Sequence, residues 1–584
     1  MTTTGTTATP GGRPGFEVRV GGTALAPPVA RDILEIEVHE EVNRHGRCIL
    51  LLHNWDPDRR AVRHSDDGPF TAGADLAVAL GHGSATTGVF DGVIASVTAH
   101  FPAGSPPMLR IDGRSRSILL EHPARSRQLA DVTDADLAAA VAADYGLRTD
   151  AAAGSRHRFW ASDRTSDWQA LRQRAAALGW VAYVRGTTLV MRPPAPNEDP
   201  LELEWTRNII ELHLTEDLTA AIDTATGAGW DVDAAEPIEA ERSGGGSGLD
   251  TGRRAGQAAA VRDAGWPLRA ARTESGTIGA ADEADARAVA AHRAAELGYV
   301  HGTGVVAGDP GLRCDGWLAI AGVGSRLAGP HYLTAARHRL SPAGYTTEFQ
   351  VGSPPALAPP PAPAAAAPGA AAGGLALGVV AGLDDREGLN RIRVRLPWRE
   401  DGGEGIWARQ SSLDAGDGYG AVVVPSMGQE VLVGFIDADP AHPVVLGALY
   451  NGAAKPPVAV DPDTNAVRTL VTPDGHTLSL VDGDDGGLTL STAAGQQVVL
   501  SEADSSLTLT HGESGNAIRI SADGIELTAQ QGDLVLKAPK GSLTVDATKL
   551  AAKTTGPSTL ESSATLKLKA AGSLAAQGTP ITLN

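Results

Sequence analysis

Leu478-Ser-Leu480, Leu488-Thr-Leu490, Val498-Val-Leu500, Leu507-Thr-Leu509 and Ile518-Arg-Ile520 repeat one short pattern, an apolar-x-apolar triplet. Ile525-Glu-Leu527, Leu534-Val-Leu536, Leu543-Thr-Val545, Leu566-Lys-Leu568 and Ile581-Thr-Leu583 carry it to Asn584. Alternation of this kind puts both apolar side chains of a triplet on one face of a short strand. Gly or a polar cluster ahead of most triplets supplies the corner. One such strand has too narrow an apolar face to be stable alone, whereas stacked repeats share a continuous core, as solenoids and β-helices do. Residues 456–584 are therefore expected to build a rod of strands and not a pocket.

Upstream, 375–455 holds strand patterns at Leu377–Val380, Arg391–Leu396, Gly405–Arg409, Glu430–Phe435 and Val444–Leu446, joined by Gly, Asp and Pro turns. So many short strands in so few residues indicate a small barrel such as an OB-fold. Pro425 and Gly428 make a turn, and Glu430 opens a strand in which Val431, Val433 and Phe435 share a face. Pro397 ends a strand and Trp398 covers a barrel end. Residues 354–374, with Pro-Pro and Ala runs, read as an extended linker, and 1–15, rich in Thr, Gly and Pro, as a disordered arm.

Residues 16–353 alternate like strands at Phe16–Val20, Ile33–Val38, Cys48–Leu52, Gly88–Ile94 and Met108–Asp112. Thr133-Asp-Ala-Asp136 opens a helix with a capping-box start, ended by Gly146. A second helix runs from Ser166 to Gly179, before a hairpin at Trp180–Val184 and Thr188–Arg192, and a third covers Ala281–Leu297. Ser243–Gly248 reads as a flexible break. Strands follow at Trp317–Ile320, Gly329–Tyr332 and Tyr345–Phe349. The expectation is a mainly β chain: two small β-barrel subdomains with helical insertions, an OB-fold barrel and the C-terminal rod.

The barrel segment closely resembles the OB domain of phage baseplate spike proteins and of the VgrG family. The matching features are Arg391-Ile-Arg-Val-Arg-Leu-Pro397-Trp398, Pro425-Ser-Met-Gly428-Gln-Glu430-Val-Leu-Val-Gly-Phe435 and Asp439-Pro440, then Pro443-Val-Val-Leu-Gly447 and Leu449-Tyr-Asn451-Gly452. All of them read as structural, since turn Gly and Pro and strand apolar residues serve packing. Residues 16–353 are similar, more loosely, to the baseplate hub of the same proteins. That similarity rests on Asp144-Tyr-Gly-Leu147, Thr165-Ser-Asp-Trp168, Leu178-Gly-Trp180, Gly329-Pro-His-Tyr332, His338 and Tyr345-Thr-Thr-Glu-Phe349.

The resemblance implies a homotrimeric central spike of a contractile injection system, with the C-terminal chains intertwined as a β-helical needle. It also implies inner-tube and baseplate proteins at the hub, and a PAAR-type tip protein at Pro580, Ile581, Thr582, Leu583 and Asn584. Possible effector cargo and transient contact with a target membrane complete the partners. One narrow triplet per repeat supports the trimer independently, since three chains can each supply one face of a closed interior. No His pair for a metal-sharpened tip stands at the C-terminal end. A type VI system and a phage tail share this architecture, but the short needle favours an extracellular or intracellular phage-like particle.

The 584 residues are several domains long, with 42% hydrophobic but only 4% aromatic residues and 70 glycines, which suits short strands and turns. A net charge of -20 argues against nucleic acid as a partner. Cys48 and Cys314 stand apart, so neither a zinc site nor a disulfide framework is indicated. No signal peptide or membrane span is legible, so assembly in the cytoplasm is expected, and if the protein reaches another compartment or is released, a route other than Sec carries it.

Catalytic patterns fail their context tests. His39 and His45, around Glu40 and Glu41, are not HExxH and fit a strand end. Gly302-Thr-Gly304-Val-Val-Ala307 follows a helix and does not open one, against a dinucleotide site. Asp482, Asp484 and Asp485 read as a solvated turn, with a chance cation as the lesser reading. About a dozen residues between Asn451 and Asn465 leave no room for a lysozyme domain, and no effector extension is expected after Asn584. No enzyme activity, cofactor or metal is expected. The alternative function is a trimeric tailspike that binds or cleaves polysaccharide. It lacks the exposed aromatics that saccharide sites use, since no Trp, Tyr or Phe follows Tyr450.

Overall fold

In the strand Ile33–Glu41, Ile36 and Val38 point inward, as do Leu50 and Leu52 in Arg47–His53, and all four are fully buried. The two strands pair antiparallel and extend through Met108–Ser115, Ala85–His100 and Asp75–His82 to Pro14–Val20. A computed structural model describes residues 13–66, 68–122, 124–219, 221–232, 234–243, 247–249, 251–252, 260–261, 263–266, 270–353, 374–396 and 404–582. Most of the expected arm, nearly all of the 354–374 linker, part of the Ser243–Gly248 break, and Pro397, Trp398, Leu583 and Asn584 lie outside these residues. Pro14 and Gly15, expected in the arm, begin the first strand.

On its other edge Ile33–Glu41 pairs with Gly329–Ser341, from Leu340 opposite Ile36 to Ala335 opposite Glu41. Through that strand the sheet continues into Gly344–Val351, Val300–Ala307 and Ile209–Glu216, with Gly316–Ala321 and Leu201–Glu204 branching off. The expected two small barrels are thus two cores along one 13-stranded sheet. One core gathers Leu50, Leu76, Leu80, Leu109 and Ile111; the other gathers Leu203, Leu318, Leu333, Phe349 and Val351. Each fully buried Leu or Ile contributes roughly 1.5–3 kcal/mol by leaving water.

A third core belongs to the insertion. Thr133 accepts from the Asp136 amide while Asp136 accepts from the Thr133 amide, a complete capping box for the helix Asp134–Asp144. Ser166 caps Asp167–Ala177 through the Gln169 amide, and Gly179, at φ 62°, turns the chain away. Leu137, Val141, Trp168, Leu171 and Met191 fill the space between these helices and the sheet Arg148–Ala151, Thr188–Arg192, Val181–Arg185.

Behind the helices, Asp134 is fully buried and accepts from Arg174 Nε at 2.6 Å and from the Ser155 amide at 3.1 Å. Burial would raise its pKa, but the hydrogen bonds from His157 and Arg174 outweigh that and hold it below the usual carboxylate range. Arg174 also reaches Glu283 at 2.5 Å on the helix Ala281–Tyr299, tying that helix to the insertion.

The strands Ala376–Gly382, Ile392–Arg395, Ile406–Gln410, Pro443–Ala448 and Glu430–Phe435 close into a barrel. Its interior holds Ile392, Val394, Ala408, Val431, Val433 and Val445, all fully buried. The barrel is docked against the insertion. Phe159 packs on the barrel core, and Asp437 accepts from the Ser275 hydroxyl at 2.9 Å and the Gly276 amide at 2.6 Å. Asp437 takes this position with φ at 50°, a left-handed conformation that a non-glycine residue adopts at some cost.

Residues up to Tyr450 form one compact unit, and those from Asn451 a second. In the second, seven five-residue strands run from Val467–Val471 to Gly524–Thr528 as an antiparallel meander in chain order. The triplets from Leu478 to Leu527 each occupy the middle of one strand. Val467–Val471 adds a strand that the triplet pattern did not reveal. From Thr528 to Thr582 the chain forms no further strand.

Candidate assembly surfaces

Strand register in the meander aligns the triplets into two rows. Leu470, Leu478, Leu490, Val498, Leu509, Ile518 and Leu527 are paired one to the next, and Leu480, Leu488, Leu500, Leu507, Ile520 and Ile525 form the second row. Positions two apart lie on the same side of a strand, so both rows share one face. The middle positions, Thr469, Ser479, Thr489, Val499, Thr508, Arg519 and Glu526, line the other. A slip of one residue would exchange the two faces, so this sorting fixes the register.

The apolar face is uncovered within one chain. Gly486 is the one buried residue among 451–582, and Leu490 and Leu500, in the middle of the sheet, are each 45% exposed. A groove of about 940 Å³ runs along the first row, bounded also by Leu534 and Leu536. Beyond it Leu543, Val545, Leu566, Leu568 and Ile581 are exposed as well. A patch of this extent marks an interaction surface, since folded chains rarely leave so much contiguous apolar area in water.

The barrel residues singled out in the sequence have local roles. Pro425 is buried ahead of the turn, and Gly428 takes φ 80° while its amide donates to the Val380 carbonyl at 2.9 Å. Glu430 starts its strand opposite Val379, and Phe435 pairs with Pro443 at the far end. Gly447 pairs with Leu432, Pro440 is half-buried, and the Asn451 side chain accepts from the Ala453 and Ala454 amides. Of the tip residues, Pro580, Ile581 and Thr582 are described and exposed, outside any strand.

The chemical candidates are dispersed. His39 lies in the strand Ile33–Glu41, while His45, in the next turn, bonds Ser117 Oγ at 2.7 Å and stacks over Trp168. Gly302–Ala307 lies inside the strand Val300–Ala307. Asp482, Asp484 and Asp485 are exposed in the turn after Thr477–Val481. Among the described residues, no group of three or more His, Cys, Asp or Glu is placed to hold a metal, and no helix is long and apolar enough to cross a membrane.

Comparison with known proteins follows this division of the chain. Residues 12–342 match the family model of the Alg8 N-terminal domain. Residues 376–450 match that of the type VI secretion system/phage-baseplate injector OB domain. Two Pseudomonas aeruginosa relatives are the type VI secretion system spike proteins VgrG4b, 41% identical over 90 residues, and VgrG2a, 34% identical over 84 residues. These segments cover 15% and 14% of this chain, and the match spans only about a tenth of either relative, 11% and 10%. Among solved structures, a chain of the lidded Francisella PdpA–VgrG complex is similar over 88% of this chain and 79% of its own, with a TM-score of 0.51 at 9% identity. At that identity the likeness concerns fold alone. The chain belongs to the family of the Alg8 N-terminal domain, and its barrel is an injector OB domain similar to that of type VI secretion spike and phage-baseplate proteins.

Proposed function

We propose that this chain is the structural central spike of a contractile injection system, acting as a homotrimer and without enzymatic activity. The observation that carries the reading is the pair of apolar rows, one seven strands long and the other six, uncovered in a single chain. Three copies would turn these rows toward one axis, and the late triplets at Leu534, Leu543 and Leu566 would find their strand partners on neighbouring chains. Interlocked strands also remove the free edges at Val467–Val471 and Gly524–Thr528, which otherwise invite aggregation.

In this reading 16–353 is the hub that meets inner-tube and baseplate proteins, 375–455 is the OB domain and 456–584 is the needle. Pro580 to Asn584 would present a blunt platform to a PAAR-type tip protein. The named relatives are themselves spike proteins, and the Francisella complex joins VgrG to PdpA, which supports the carriage of a further protein as cargo. Force is borne by many backbone hydrogen bonds that must break together, so the needle can puncture an envelope without chemistry of its own.

Native mass spectrometry of the full-length protein, and of a form lacking 465–584, tests the proposal. Three chains are expected for the full-length protein, with weakened association once the repeats are removed. A full-length protein that remains a single chain at micromolar concentration overturns it.

A further inference from the structure

The insertion sheet opens on a row of three directly paired residues: Arg148 opposite Thr188, and Thr188 opposite Arg185. Paired residues project to the same side of a sheet, and two strand spacings, about 9.6 Å, separate the outer pair at the backbone. Arg148 and Arg185 therefore project to one face of the sheet. This end of the sheet borders a cleft of about 340 Å³, closed on its other sides by the strands of the first core and by Arg313 and Cys314.

The carboxylates lining the cleft are already engaged. Glu40 is bound by Arg313, Glu41 by Arg44 at 2.8 Å, and Asp91 by Arg116. Arg148 and Arg185 have no ion pair among the described residues. Arg148 donates to Thr187 Oγ1 at 3.3 Å. Arg185 is held over the Tyr183 ring, 5.0 Å from its centroid, and donates from Nη2 to the Cys314 carbonyl at 2.8 Å. Its Nε is buried and has no hydrogen-bond partner. The carboxylate of Glu40 acts on this guanidinium only through space, with no ion pair between them, so the Nε–H stays open to an acceptor. Tyr183 and Cys314 fix this guanidinium in one orientation, which lowers the entropy lost when a ligand arrives.

We propose that this cleft is an oxyanion site, in which a phosphate or carboxylate group sits between Arg185 and Arg148 and accepts from the Arg185 Nε–H. The site is independent of the spike reading, since it needs only one chain.

Isothermal titration of the full-length protein at low ionic strength, with inorganic phosphate in one arm and glutarate in the other, tests this. Saturable binding of either anion is expected, and the tighter of the two identifies the source as phosphate or carboxylate. Arg148→Gln removes an exposed cation without touching a core and should weaken binding about tenfold. Arg185→Lys keeps the charge but loses the Nε–H and should weaken it comparably. Arg272→Gln, at an exposed cation outside the cleft that pairs with Glu239 and Glu274, leaves both guanidiniums in place and should bind as the parent does. Absence of saturable binding to both anions, unchanged affinity in Arg148→Gln, or equal loss in Arg272→Gln overturns the site.

Discussion

The five-stranded barrel and the seven-stranded meander are built from similar material, short strands with apolar residues at alternate positions, but they resolve the same problem differently. In the barrel the sheet closes on itself, so Ile392, Val431 and Val433 are fully buried by residues of their own chain. In the meander the strands lie side by side in chain order, and the apolar rows stay exposed. Closure makes a domain that needs no partner. An open sheet with one apolar face defers its core to other chains.

The comparison can be broken most severely at the centre of the meander. Leu490→Asp would place three charges around one axis in the proposed trimer, and the expected outcome is loss of the three-chain mass with little change in the unfolding of residues up to Tyr450. A matching change in the barrel, Val433→Asp, buries one charge without a partner and should cost more than about 4 kcal/mol. Thermal unfolding should then show the barrel lost even in a single chain. If both variants behaved alike, the distinction between a self-covered and a deferred core would fail.

A third test uses pH. Burial, reinforced by the charge of Arg313, lowers the His338 pKa to about 4, against an ordinary value near 6.5. Folded, the imidazole stays neutral among Tyr345, Thr347 and the Leu312 carbonyl; unfolded, it binds a proton below pH ~6.5. Its burial is therefore without proton penalty above that pH, and stability falls as pH drops toward 4, by on the order of 3 kcal/mol. Denaturant melts of His338→Gln should show a flatter slope across this window. The meander has no buried titratable side chain among its described residues and should not share the slope. The smallest effect is expected at the docking contact: Asp437→Ala removes two acceptor bonds at an exposed site and should cost about 1 kcal/mol, read as a small fall in the unfolding midpoint of the barrel.

Legibility in the sequence followed locality. Helices announced by Thr133 and Ser166 and stopped by Gly146 and Gly179 were readable because caps are chemical signals within a few residues. The strands Arg125–Thr133 and Arg156–Thr165 were not, because their charged residues break the alternation of apolar and polar positions. Arg125 and Arg127 both bind the buried Asp167, and Arg156 binds Asp131. The pairing of Gly329–Ser341 with Ile33–Glu41 joins segments remote in the chain, so neither segment alone discloses it. Triplets define a face but not a partner, which is why those at Leu478 and Leu490 became strands here and those at Leu543 and Leu566 did not. The assembly residues followed the same rule: the apolar rows were visible as periodicity, whereas the Arg148–Thr188–Arg185 row exists only through pairing across strands.

Because six of the seven strands of the meander repeat the same two apolar positions, and all but Val499 of the middle residues are polar, its length is not encoded in any one residue. Insertion of a hairpin between Gly487–Ser491 and Gln497–Ser501 would extend the sheet by two spacings of about 4.8 Å. It would preserve strand direction and leave every downstream side chain on its original face. Gain or loss of such units offers a graded way to change the width of the sheet in steps of roughly a nanometre, with the residues up to Tyr450 left untouched.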